Sequence, residues 1–223
     1  MGRASQLTKY HQNDLLACIE QLCRVYWGPS KALCREVVEG SFLQPFAALS
    51  PLIGADAELT ALRELLDGFT EAEALSAYLE AGYVRLFIND RGGVAAPLYA
   101  SCYEDKASPQ LMGAPAVRMR RLLGDLNIHI GEDIGEPPDH LSIELEVLYF
   151  ILTQKTTVGH PDGLAAAATF VASDLLPWVQ KLQHHLTSEA QCRFYPLITG
   201  MLLSVLRAIG AFSDPGTEQI SQV

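Results

Sequence analysis

Basic residues are scarce in this chain. Its 223 residues carry 16 Lys and Arg against 26 Asp and Glu, a formal net charge of −10. A nucleic-acid footprint needs clustered cations to neutralise phosphates. The one compact basic run, Arg118-Met119-Arg120-Arg121, sits in a helical pattern, where arginines commonly form a solvated face. Cysteines number 5, an odd count with no CxxC pair. Cys18, Cys23, Cys34, Cys102 and Cys192 therefore read as buried reduced thiols, which argues against a zinc site or a disulfide framework. Long apolar runs are also missing. The longest, Leu197 to Phe212, carries Arg207 and is short for a membrane span. The N-terminal MGRASQLTKYHQ has no apolar h-region, and Gln6 breaks the myristoylation pattern. A cytoplasmic protein without stable membrane insertion and without a nucleic-acid partner is expected.

Catalytic signatures are absent as well. No GxSxG, GxGxxG, GxxxxGK[ST] or HExxH occurs. Strand signals are nearly lacking, and no repeat or low-complexity tract stands out.

What is present is helical spacing, in a chain that is 49% hydrophobic and 19% charged. Asn13 can cap a helix bearing Leu15, Ile19, Leu22 and Tyr26, stopped by Gly28-Pro29. A second helix spans about 30–39. Asp56 caps a third that carries Leu59, Leu62 and Leu66, with Gly68 as its stop. The capping box Thr70-Glu71-Ala72-Glu73 opens a fourth, ending near Asn89. Further helices are expected over 114–127, 140–156, 162–184 and 188–211. Ser188-Glu189-Ala190-Gln191 forms another capping box, and Pro196 should break or kink the last helix. Residues 88–108 lack helical periodicity, and a loop of that length in a compact domain is often functional. The expected fold is all-α: a single-domain compact helical bundle over 1–212 with that one long loop, and a flexible tail over 213–223.

Glu136-Pro137-Pro138-Asp139-His140 concentrates chemistry in five residues. Asp139 suits an N-cap, accepting from amides near Ile143. Leu141, Leu145, Leu148 and Leu152 then form a core-facing stripe. His140 and Glu144 stand at i, i+4, the minimum for a metal pair, but no third ligand is evident. No nucleophile or oxyanion donor set accompanies Glu136 and Asp139. No catalytic residue, metal or cofactor is assigned. A metal-binding protein using Glu136, Asp139, His140 and Glu144 stays open as an alternative, as does a helical scaffold for a folded partner.

Three segments in order carry a resemblance. Gly82-Tyr83-Val84-Arg85-Leu86-Phe87, with Pro97-Leu98-Tyr99-Ala100-Ser101, resembles the Y-x-R-L-F … P-P-Y-x-S passage of the TorD/DmsD family of cytoplasmic molybdoenzyme chaperones, distantly related to the NarJ group. Glu136-Pro137-Pro138-Asp139-His140 matches its E-P-x-D-H signature. Leu175-Leu176-Pro177-Trp178 and Phe194-Tyr195-Pro196-Leu197 resemble its L-x-P-W … F-Y-x-x-L pattern. Ile88-Asn89-Asp90 stands where the family has Gly-Pro, and Leu98 replaces the second proline; both changes bear on ligand selectivity.

The resemblance implies a non-enzymatic chaperone. It would bind the twin-arginine leader of a molybdopterin oxidoreductase and hold the apoenzyme until cofactor insertion and export. Monomers and domain-swapped dimers are both implied. Guanine-nucleotide binding has been proposed for some members, but no phosphate motif here supports it. Residues 82–104 and 136–140 would line one groove: Glu136 and Asp139 for guanidinium groups, Tyr83 and Tyr99 as stacking faces, Leu86, Phe87 and Leu98 for apolar contact, and His140 as a hydrogen-bonding wall. Arg85, Pro97, Ser101 and Pro137 complete it. Leu86 and Phe87 can equally be core, and Arg85 can pair internally with Glu136 or Asp139. Trp178 and Tyr195 read as packing residues. Tyr26-Trp27 suits either the core or the groove. The net charge of −10 favours encounter with a basic leader.

Overall fold

Apolar residues recurring every three or four positions wind the chain into helices. The computed structural model describes residues 11–88, 93–104, 111–131, 134–156, 162–188 and 192–212. In chain order the helices are α1 (Gln12–Trp27), α2 (Lys31–Val38), α3 (Gln44–Ile53), α4 (Asp56–Leu66), α5 (Ala72–Tyr83), α6 (Ala114–Asp125), α7 (Leu141–Thr156), α8 (Asp162–Phe170), α9 (Leu176–Thr187) and α10 (Phe194–Gly210). Among the described residues there is no strand, and the fold is all-α. The expected tail over 213–223 and the box at Ser188-Glu189-Ala190-Gln191 fall at least partly outside them.

Helix starts depart from expectation more than helix bodies do. Ser30 caps α2 by accepting from the Leu33 amide at 3.1 Å. Asn13 lies inside α1, which begins at Gln12. Asp56 is the first residue of α4, and its carboxyl accepts from Ser50 Oγ at 2.7 Å. Glu71, not Thr70, occupies the cap position of α5 without a side-chain bond. At Asp56 a neighbouring partner, Ser50, displaces the local cap.

Two π-helical turns interrupt the expected continuous helices. The first, Val84–Ile88, continues α5. It leaves the Leu86 carbonyl to accept from the Ala96 amide at 2.9 Å. The second, Val171–Leu175, lies between α8 and α9. Pro177, in the first turn of α9, lacks an amide and would crowd the Ser173 carbonyl in a regular helix; the wider turn absorbs that mismatch. Pro196 neither breaks nor kinks α10. It sits in the first turn, where its missing amide has no intrahelical partner to lose.

One continuous apolar core joins these helices. α1 packs on α7, α7 on α8, α9 on α10, and α10 on α4. Aromatic rings knit the centre. Phe87 meets Tyr195 edge-on at 4.9 Å, and Tyr83 meets Phe87 at 5.1 Å. Three phenols at this centre find partners. Tyr26 shares a 2.7 Å bond with Thr199, Tyr195 donates to the Leu79 carbonyl, and Tyr83 donates to the Tyr26 carbonyl at 2.9 Å. Trp178 and Tyr195 are buried, as packing residues should be. Gly28 ends α1 at φ 112°, with the Tyr83 ring 3.6 Å from where a β-carbon would stand.

Gly82 is required for a different reason: a β-carbon there would overlap Cys192 Sγ and press on Tyr195. Gly82→Ala should therefore destabilise the fold by about 2 kcal/mol through overpacking, read from urea unfolding. Adding Cys192→Ala should recover most of that loss; additive costs would show that the clash is not the cause.

Candidate functional site

The strap 93–104 is fastened to the head of α7 by backbone and side chain together. Tyr99 and His140 form an antiparallel bridge. The Ala100 amide donates to the Asp139 carbonyl at 3.1 Å, and the Leu141 amide to the Leu98 carbonyl at 2.9 Å. Asp139 Oδ2 then accepts from the Ser101 amide at 2.8 Å and from Ser101 Oγ at 2.5 Å. Ser101 Oγ in turn accepts from the Gly113 amide at 2.9 Å. This ties the strap to the start of α6. Beyond it, Tyr103 stacks on Trp178 at 5.5 Å, and its carbonyl accepts from Lys181 Nζ.

Asp139 is thus not the cap of α7. Both it and Ser101 are fully buried, with no surface to offer a ligand; they fix the strap in place. His140 takes the capping role. Its Nδ1 accepts from the Ser142 amide at 3.2 Å, so the neutral ring carries its proton on Nε2. Burial lowers the imidazole pKa from its ordinary 6.5, and Glu136 and Asp139 pull only partly in the other direction. A neutral cap also suits the positive end of the helix. The ring is held flat against Trp27, with centroids 5.1 Å apart and 18° between planes, and edge-on to Tyr99.

Leu86, Phe87 and Leu98 are core residues, 1%, 4% and 2% exposed, so apolar groove contact is not theirs to make. Leu98 is the strap's own contribution to the core, and the strap's Ala96 amide bonds the Leu86 carbonyl. What reaches solvent is narrower. Tyr83, Arg85, Pro97, Tyr99, Glu136 and Pro137 are partly exposed. Tyr99 donates to Glu136 Oε2 at 2.6 Å. Burial and then the Glu136 charge push the Tyr83 phenol up to about 12; burial and the bond to Glu136 raise Tyr99 too. Two phenols and one carboxylate form an acidic, aromatic patch, with Trp27 beside it over His140.

The suspected metal pair does not form one. Glu144 is buried in the interior, where its Oε2 accepts from Trp178 Nε1 at 2.9 Å. Burial pushes its carboxyl well above the usual carboxylate range, against the Trp178 bond, and Asp139 adds to the rise. Among the described residues no group of three or more His, Cys, Asp and Glu could hold a metal ion. Nor is any described helix long and apolar enough to cross a membrane.

Two residues were not assigned to the site by spacing. Trp27 could have been core; it is part-exposed and donates to Glu146 Oε1 at 3.0 Å. Glu146 had no signal except its place as an acid among the apolar residues Leu145, Val147 and Leu148.

The described residues form a helical bundle in which Tyr99 of the strap meets Glu136 ahead of α7. The sequence pattern of the nitrate reductase delta subunit family matches residues 53–183, more than half of the chain. The chain belongs to this family, the TorD/NarJ family. A chaperone protein TorD of Aliivibrio fischeri is 30% identical over 87% of this chain and 95% of its own length. One from Vibrio cholerae is 28% identical over 84% and 90%. A crystal structure of a candidate redox enzyme maturation protein from Archaeoglobus fulgidus aligns with a TM-score of 0.47 at 20% identity, covering 89% of this chain and 92% of the other.

Two outcomes follow. Asp139→Ala strands the Ser101 amide and hydroxyl, and should cost about 3 kcal/mol in chemical unfolding; a cost near zero would mean the strap is held otherwise. For His140, the unfolded chain takes a proton near 6.5 and the folded ring resists it. Its contribution to stability is complete above that pH and is lost as pH falls towards the lower folded value. Glu144, shifted upward, acts with the opposite sign. The His140 component is therefore the difference between wild type and His140→Asn, whose unfolding free energies should converge as pH drops from 7.5 to 5.5. A constant difference would place the titration elsewhere.

Proposed function

We propose that this chain is a cytoplasmic chaperone that matures a molybdopterin oxidoreductase, binding its twin-arginine leader and holding the apoenzyme until cofactor insertion and export. The observation that carries this reading is the part-exposed patch of Glu136, Tyr99 and Tyr83, in which Tyr99 donates to Glu136 at 2.6 Å. A leader of this kind presents two adjacent guanidinium groups, planar cations that pair with a carboxylate and stack on aromatic rings. Glu136 supplies the charge, and the phenols supply aromatic surface beside it. Asp139 and Ser101 contribute from below by fixing Tyr99, and His140 by seating Trp27. No bond is made or broken in this role. The relatives named chaperone protein TorD support it, as does the acidic balance of the chain, which draws a basic peptide inward. The reading allows a monomer or a domain-swapped dimer and needs no cofactor.

Calorimetry with a panel of synthetic twin-arginine leaders from molybdopterin oxidoreductases tests it. At least one should bind, and Glu136→Gln should weaken that leader about tenfold, about 1.4 kcal/mol. Replacing its two arginines by lysines should weaken it comparably, since an ammonium neither stacks nor pairs through a fork. Equal affinity across all of these would remove Glu136 from the site; no binding by any leader would remove the function.

A further inference from the structure

The strap is tied to two buried acids, not one. Asp139 is 0% exposed, and Glu144, a little over one turn further along, is 1% exposed. Asp139 is held unevenly. Both Ser101 bonds reach Oδ2, whereas Oδ1 is buried with no partner among the described residues. Glu144 Oε2 accepts from the Trp178 indole, a neutral donor. Trp178 in turn stacks with Tyr103 of the strap, whose buried hydroxyl also has no partner among the described residues. Ser101 thus bears on one acid directly, and Tyr103 bears on the other through Trp178.

The surroundings of Glu144 disfavour a second anion. Burial is the largest cause of its raised pKa; the Trp178 bond opposes it, Asp139 and Asp174 add to the rise, and Arg118 subtracts from it. Arg118, on α6, is committed to Asp174 of the second π-helical turn at 3.0 Å, and its side chain is exposed. No cation comes from the head of α7, where burial keeps His140 neutral. The strap's own titratable groups are anionic when they ionise, and burial pushes both Cys102 and Tyr103 upward. Lys181 of α9 is turned to the Tyr103 carbonyl at 2.9 Å. Two carboxylates under one apolar cover are costly.

We infer that residues 93–104 form a proton-linked latch, closed over a protonated Glu144 and released as that proton passes to water. In the lifted state water reaches Glu144, and its carboxyl returns towards 4.5. In the closed state it keeps its proton to a higher pH. A group raised in the closed form favours closure fully below the lower value, and less and less as pH rises towards the higher one. One proton leaves per opening within that window, so the opening constant should rise about tenfold per pH unit. Tyr99 lifts with the strap, so the patch at Glu136 is assembled only while the latch is closed. The latch itself needs no bound peptide.

Hydrogen exchange on the full chain, followed by NMR without any ligand, tests this. The Ala100, Ser101 and Leu141 amides are each bonded between the strap and the head of α7. Their opening constants, corrected for the intrinsic pH dependence of exchange, are compared between wild type and Glu144→Gln. The glutamine keeps an acceptor for Trp178 and has no acidic proton to lose, and the comparison cancels the opposite contribution of His140. From about pH 5 upward the ratio of wild type to variant should rise about tenfold per unit until Glu144 ionises beneath the closed strap. A ratio that stays constant overturns the latch. So does exchange of the strap amides at the opening constant of Leu202 in α10, since the opening is then global unfolding. Infrared spectra of wild type carrying isotope-labelled glutamate supply a check that needs no variant. They should show a protonated buried carboxyl at neutral pH, and its absence overturns the inference.

Discussion

The arrangement around the surface patch depends on the carboxyl of Asp139. It is buried, and it takes two hydrogen bonds from one residue, Ser101. A buried acid needs donors, and both of Asp139's come from Ser101 to Oδ2. Because Ser101 also binds the Gly113 amide, the same carboxyl couples the strap, the start of α6 and the head of α7. Remove it and only the backbone bridge to His140 and the bond to Glu136 hold Tyr99 in place. The residue that looks most like a ligand contact is thus the one that makes the contact surface possible.

His140 does comparable work from the other side. An imidazole at a helix start is unfavourable if charged and useful if neutral, because only the neutral ring has an acceptor for a helix amide. Burial between Trp27 and Tyr99 keeps it neutral. The cap, the aromatic stack and the position of Trp27 are therefore one feature. Glu144, one turn further on, is buried as well and answers Trp178; the two polar groups whose spacing left a shared ligand open instead brace different parts of the interior.

The helical bodies were legible because their apolar spacing reports which face is buried, and burial dominates helix stability in a folded chain. The ends were less so. Asp56 bonds Ser50 and Asp139 bonds Ser101, and neither caps its helix. A side chain chooses between a local amide and a distant partner only after the chain has folded. The π-helical turn ahead of Pro177 could have been suspected from the proline alone, whereas the one after Tyr83 is matched to a strap residue, Ala96, ten positions past Leu86.

For the site, sequence by itself determined the residue set and its chemical character: all-helical scaffold, acidic balance, and a cluster of Glu, Asp, His and Tyr in three separated segments that resemble one family. It did not determine which of them face outward. Leu86, Phe87, Leu98, Ser101, Asp139 and His140 are buried, while Tyr83, Tyr99 and Glu136 reach solvent. Nor did it bring Trp27 and Glu146 to that surface. The physical reason is that spacing along a chain encodes local faces, but exposure belongs to a whole packed assembly. Whether a carboxyl greets a partner or holds up the floor beneath it is settled by which donors fold against it, and those lie more than thirty residues away.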